Sequence, residues 1–283
     1  MKFLRCVTAV SVATFTLAGC SSSADSTAES AVGSQQGKTS YSDGQKATVK
    51  SVDSGNTVAV DINGEQKQVR LINVVAPSKN NNAPSGTCLL RESQKFLAEK
   101  LPADKEITLN FDPSQPGTSG FLEAAVYDGD DFINQEVVAA GFAATSFTTQ
   151  KDKFYPDISK TQQSAAKDGV GLYSTDTDCS IPHKIKSQIE AVNRAKDEPE
   201  SNEEMKAKHR QVYQIASNYY NELVKAQESP ASYVGSIVTL DAVKAQLEDL
   251  QKALGDDYFD EHGESVADKA SASATATARP GGN

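Results

Sequence analysis

QKATVKSVDSGNTVAVDINGEQKQVRLINVVAP, residues 45–77, is the stretch whose reading decides the fold. Apolar side chains alternate through Ala47, Val49 and Val52, then through Val58 and Val60, and Ser54-Gly55-Asn56 interrupts them. A period of two marks extended chain with one face buried, and a short polar break containing glycine marks a turn. Asn63-Gly64 is a hairpin signal, because both residues tolerate the positive φ that a type I′ turn requires. Gln66–Val74 then predicts a third strand, ended by Pro77.

Working outward toward the C-terminus, Leu89, Leu90, Phe96, Leu97 and Leu101 have helical spacing and predict a helix over Ser93–Leu101. Ile107–Phe111 and Leu122–Tyr127 predict two more strands, the second turned by Asp128-Gly129-Asp130. A helix over Ile133–Ala140 stops at Gly141, and another over Pro156–Lys167 precedes Gly169-Val170-Gly171-Leu172-Tyr173. Three strands, a helix, two strands and two helices make an α+β arrangement, a five-stranded OB-fold-like barrel. Residues 181–255 change character: Ile185, Ile189 and Val192, then Met205, Val212, Ile215, Tyr219 and Leu223, then Val243, Leu247, Leu250 and Leu254 recur at helical spacing. They predict three helices, broken at Asp197-Glu198-Pro199 and at Ser229-Pro230, with Thr239 as the last N-cap and Gly255 as its stop. More apolar residues lie on these helices than one hairpin hides, so docking on the barrel, a partner helix or self-association is expected beside a closed bundle. Residues 256–283, acidic and then rich in Ser, Ala and Thr, read as a disordered tail.

Toward the N-terminus, Lys2 and Arg5 precede an apolar run from Cys6 to Leu17 and then Leu17-Ala18-Gly19-Cys20. The run is shorter than the ~20 apolar residues a membrane span needs, so residues 1–19 read as a signal peptide. Its end resembles the bacterial lipobox, which implies a lipidated Cys20, an anchor in the cell membrane and an extracytoplasmic location. Residues 20–43 then form a flexible tether, and the barrel domain occupies 44–178. Cys88 and Cys179 are the cysteines left in the exported chain. One disulfide is the expectation, with two free thiols as the alternative; a metal site is disfavoured, since neither has a second Cys or His at ligand spacing.

The 283-residue chain has 38 acidic and 28 basic side chains, a formal charge of −10. Its domain at 44–178 has 13 basic and 18 acidic side chains. Phosphate backbones are held mainly by Lys and Arg, so nucleic acid is disfavoured as a partner. His183, His209 and His262 form no metal motif and read as exposed helix histidines, and Tyr213, Tyr219 and Tyr220 as packing residues.

Val52-Asp53-Ser54-Gly55-Asn56-Thr57-Val58 resembles the V-x-D-G-D-T-V string of the staphylococcal-nuclease family, and Val69–Ser78 resembles its R-L-x-x-x-D-T-P-E. Asn134 through Gly141-Phe142-Ala143 resembles N-E-x-L-V-x-x-G-L-A, and Gly169–Tyr173 the G-L-W ending. The resemblance covers about residues 45–174 and implies a nuclease-type barrel. It also implies metal-assisted phosphodiester hydrolysis, in which carboxylates hold Ca²⁺, a Glu activates water and two Arg stabilise charge. The matching positions depart from that pattern. The metal-binding Asp residues fall on Asn56 and Val75, the catalytic Glu on Ser78 and the second Arg near Phe121, while the nucleotide-contacting tyrosines fall near Phe147 and Thr149. Arg70 alone is retained, with an ion pair to Glu123 as its structural alternative. Asp53 sits beside the lost positions, but strand alternation turns it away from Ser54.

The expectation is therefore an inactive nuclease-like module for binding or scaffolding, without a cofactor. Two alternatives stand beside it. One is a Ca²⁺-dependent extracellular nuclease with a relocated site; the other is an envelope assembly factor that meets a protein partner through helices 181–255.

Overall fold

The computed structural model describes residues 41–80, 85–113, 117, 120–146 and 152–255. The expected signal peptide, Cys20, most of the tether, Phe147, Thr149, His262 and the C-terminal tail lie outside the described residues. In chain order the elements are β1 (Gln45–Ser54), β2 (Thr57–Ile62), β3 (Glu65–Leu71), the short β4 (Val74–Val75), α1 (Leu90–Lys100), β5 (Glu106–Asn110) and β6 (Phe121–Asp128). There follow β7 (Asp131–Phe132), α2 (Ile133–Ala139), β8 (Ala144–Thr145), α3 (Tyr155–Asp168), α4 (Ile181–Asp197), α5 (Glu203–Ala226), α6 (Tyr233–Val238) and α7 (Asp241–Leu254).

Strands β3, β2, β1, β5 and β6 pair in that order, and a parallel β3–β6 pairing closes the five-stranded barrel. Asn63 and Gly64 both have positive φ, as the hairpin signal requires. The alternating residues fill the interior: Val49, Val58, Val60, Val69, Leu71, Leu109 and Val126 are all fully buried. The third strand ends earlier than its sequence suggests. Asn73 takes a left-handed conformation, φ 57°, which turns Val74–Val75 out of the barrel to pair with β8.

Asn134, at the start of α2, ties this layer to the barrel. Its Oδ1 accepts from the Val126 amide at 2.9 Å and its Nδ2 donates to the Ile72 carbonyl at 2.9 Å. A buried side chain that meets the backbone of two segments leaves neither edge unsatisfied. Gly141 and Gly171 let two backbones cross: a Cβ on Gly141 would lie 2.4 Å from the Val170 carbonyl oxygen, and one on Gly171 would lie 2.3 Å from that of Gly141.

Residues 181–255 form four helices, not three. The six residues of α6 are all buried, so they carry no polar-apolar period. Thr239 does not cap α7; its hydroxyl donates to the Gly235 carbonyl at 2.8 Å, closing α6, and Leu240 occupies the N-cap position. The apolar residues in excess of a hairpin are placed within the chain: Leu223, Leu247, Leu250 and Leu254 are buried and Tyr219 half-buried, in one cluster with Ala144, Ala165, Leu172 and Tyr173. Docking on the barrel layer is thus the outcome for this stripe. Ile215 and Val224 are the large apolar side chains left exposed among the described residues.

Two devices fix that seam. Cys88 and Cys179 form a disulfide, joining the segment before α1 to the segment before α4. Beside it, a buried polar network joins β8, α3 and α6. The Thr145 amide donates to Gln162 Oε1 at 3.1 Å, the Thr145 hydroxyl also bonds that oxygen, and Gln162 Nε2 donates to the Ser236 carbonyl at 3.2 Å. No helix among the described residues is long and apolar enough to cross a membrane.

Candidate functional site

A cavity of about 490 Å³ opens where the β1–β2 turn, the β4 segment and the start of α1 meet. Asn56, Arg70, Val75 and Ser78 all line it, so the structure brings together four of the positions singled out in the sequence. Asp53, Thr57, Lys79 and Gln94 line it too. Gly55 brings α1 close to the turn: a Cβ there would meet Ser93 Oγ at 1.8 Å.

Each polar side chain has a local task. Asn56 Nδ2 donates to the Val74 carbonyl at 2.9 Å, while its Oδ1 accepts from the Ser54 hydroxyl at 3.0 Å and the Thr57 hydroxyl at 3.3 Å. The side chain thereby locks the turn to the β4 segment. Gln94 Nε2 donates to the carbonyls of Val52 and Asp53, which fastens α1 to β1. Ser78 is exposed, and its hydroxyl accepts from the Asn80 amide at 3.3 Å. The β1–β2 register shifts between Val52 and Ser54, Asp53 is among the residues that line the pocket, and its exposed carboxylate accepts from the Ser51 hydroxyl at 2.9 Å.

Arg70 is held from the neighbouring strand. Its Nη1 lies 3.2 Å from Glu123 Oε1, and its guanidinium carbon stands 4.2 Å from the centre of the Phe121 ring. The parallel pairing makes Arg70 and Glu123 register partners and puts Phe121 two residues earlier on the same strand. Phe121, near which the second arginine of the nuclease pattern falls, therefore covers Arg70. Burial pushes the Glu123 carboxyl above the usual range, and the charge and hydrogen bond of Arg70 pull it down.

The donor set does not fit Ca²⁺. That ion takes six to eight oxygens, several of them anionic. Val75 offers none, the Asn56 amide oxygen is neutral and already accepts two hydroxyls, and Glu123 is engaged by Arg70. Among the described residues no three His, Cys, Asp or Glu side chains form a group able to hold a metal.

His209 is not the exposed helix histidine that the sequence suggests. It is buried, with Nδ1 3.5 Å from Glu200 and Nε2 3.8 Å from Glu198, because the α4–α5 connector folds its two carboxylates over the ring. His183 Nδ1 donates to the Thr175 carbonyl, 2.7 Å away, and the residue is half-buried.

This barrel, with its turn-and-helix pocket and flanking helices, is of the nuclease type. Residues 68–175 match the model of the family described as staphylococcal nuclease homologue. Thermonuclease of Staphylococcus intermedius is 28% identical over 134 residues, 46% of this chain and 77% of that protein. Thermonuclease of Staphylococcus hyicus is 27% identical over 124 residues, 42% of this chain and 70% of that one. The chain therefore carries a staphylococcal-nuclease-like domain, to which α4–α7 are joined.

Proposed function

We propose that this domain is a binding module that does not hydrolyse phosphodiesters, anchored through a lipid on Cys20 at the extracytoplasmic face of the cell membrane. The ligand group suited to the pocket is a small anion met by Arg70 and Lys79; the acidic chain disfavours a long nucleic acid. One observation carries the reading: where the thermonuclease pattern has two carboxylates, this chain has an amide committed to its own turn and a valine paired in β4–β8. The exposed Ser78 hydroxyl accepts from the Asn80 amide and is no substitute for a carboxylate base at neutral pH.

The relocated-nuclease reading has Asp53 in its favour, since that residue is among those that line the pocket. A single carboxylate is still far short of a calcium shell. An assembly role through α4–α7 would have to use a mainly polar surface, because their apolar stripe is covered within the chain.

Calorimetric titration with CaCl₂ tests the proposal. The wild-type protein is expected to give no binding heat, and Asn56→Asp, Val75→Asp and Ser78→Glu together are expected to restore Ca²⁺ affinity with little DNA cleavage, since Phe121 stands in the second arginine's place. Saturable Ca²⁺ binding by the wild type would count against it.

A further inference from the structure

We infer that Glu123 is a built-in competitor for the anion at Arg70, so that the pocket takes up an anion together with a proton. This rests on the anion-binding reading above and adds the regulation of that site.

Arg70 is one-third exposed and reaches the pocket, whereas the Glu123 side chain is only 15% exposed. The two meet at 3.2 Å, and the Phe121 ring, 4.2 Å from the guanidinium carbon, covers the arginine. The guanidinium is therefore already supplied with a carboxylate partner and an aromatic cover, both from β6. A ligand oxyanion that enters the pocket competes with Glu123 for the same N–H donors.

The cost of losing that competition falls on Glu123. A largely buried carboxylate stripped of its counter-charge is expensive to keep ionised. Arginine holds its proton at all relevant pH, so the pair can change charge only by Glu123 taking a proton from solvent. Arg70 of β3 is the charged group acting on that carboxyl, which burial already holds above its ordinary range. The other charged residues at the pocket are Asp53 and Lys79, both exposed on different segments; on the adjoining β5, Glu106 is paired with Lys46. No covalent bond changes: one anion binds, one ion pair opens and one proton moves from water to Glu123. Affinity then rises as pH falls, by at most about tenfold per pH unit.

Sulfate is the probe, because it remains dianionic from mildly acid to neutral pH. Binding to the full chain is measured between pH 5 and 7.5 for wild type, Glu123→Gln, Arg70→Ala and Glu65→Gln, the last removing one exposed negative charge elsewhere. The expected result is wild-type affinity about tenfold or more higher at pH 5 than at 7.5. Glu123→Gln should bind tightly at pH 7.5 with a flat profile, and Glu65→Gln should keep the wild-type slope. A Glu123→Gln profile matching wild type overturns the inference, while loss of binding in Arg70→Ala leaves the anion-binding reading standing. Sulfate binding unaffected by Arg70→Ala, or absent from both wild type and Glu123→Gln, overturns both.

Discussion

At the pocket, Asn56, Gln94 and Arg70 are half-exposed and reach carbonyls or near-neighbour side chains; at the seam between barrel and helices, Thr145, Gln162 and Ser236 are buried and bond one another. Solvent can replace a lost partner in the first region and cannot in the second. The same polar chemistry thus tolerates replacement at the pocket, where carboxylates of the nuclease pattern are gone, and resists it at the seam, where each atom has a fixed partner.

The largest effect is expected from unlinking the seam. Replacing both Cys88 and Cys179 by Ser should lower stability by about 4 kcal/mol, because the bridge closes a loop of 91 residues' separation; chemical denaturation of oxidised wild type against the variant measures it. A loss as small as that of a pocket substitution would break the contrast.

Gln162→Ala comes next. It strands Thr145 and Ser236 in a buried setting and should cost about 2–3 kcal/mol. Asn56→Ala, the matching deletion at the pocket, should cost about 1 kcal/mol, since the side chain it removes is half-buried and borders the cavity. Thermal melts of the two variants side by side sharpen the comparison, and equal losses would refute it.

Glu123→Gln is smaller and has a pH signature. The carboxyl is raised above its ordinary value of 4.5 in the folded chain, so the folded state binds more protons than the unfolded one just above that pH. Stability from this group is therefore present below pH 4.5 and lost as pH rises through the raised value. The variant should gain on wild type by under about 1 kcal/mol between pH 4 and pH 7; denaturation midpoints at the two pH values read the sign. Smallest of all, Ile215→Ser on the exposed face of α5 should change stability by less than about 0.5 kcal/mol, and sedimentation should show the same mass for both proteins.

Much of the barrel was legible because alternation has one meaning in a strand with one buried face: Val58, Val60 and Val69 sit where it puts them. Asn63-Gly64 fixed its hairpin by the same local physics. What escaped depended on contacts far apart in the chain. Nothing near Asn73 announces a left-handed residue, whose side chain is anchored to Ser146 and Asp152. The register shift between Val52 and Ser54 interrupts the alternation that the sequence suggests, and α6 is buried on all sides, so it has no stripe to read. At the pocket, Asn56, Arg70, Val75 and Ser78, singled out by their strings, line one cavity, and Glu123, named as an alternative partner for Arg70, meets it at 3.2 Å. The stacking of Phe121 on that arginine required the parallel β3–β6 pairing, which no local pattern encodes.

The central claim is that the pocket binds without cutting. Single-stranded DNA incubated with the purified wild-type protein and excess Ca²⁺, with and without chelator and beside Arg70→Ala, tests it most directly. The account predicts no cleavage above the Arg70→Ala background in either condition. Wild-type cleavage that chelator abolishes and Arg70→Ala lacks would contradict it.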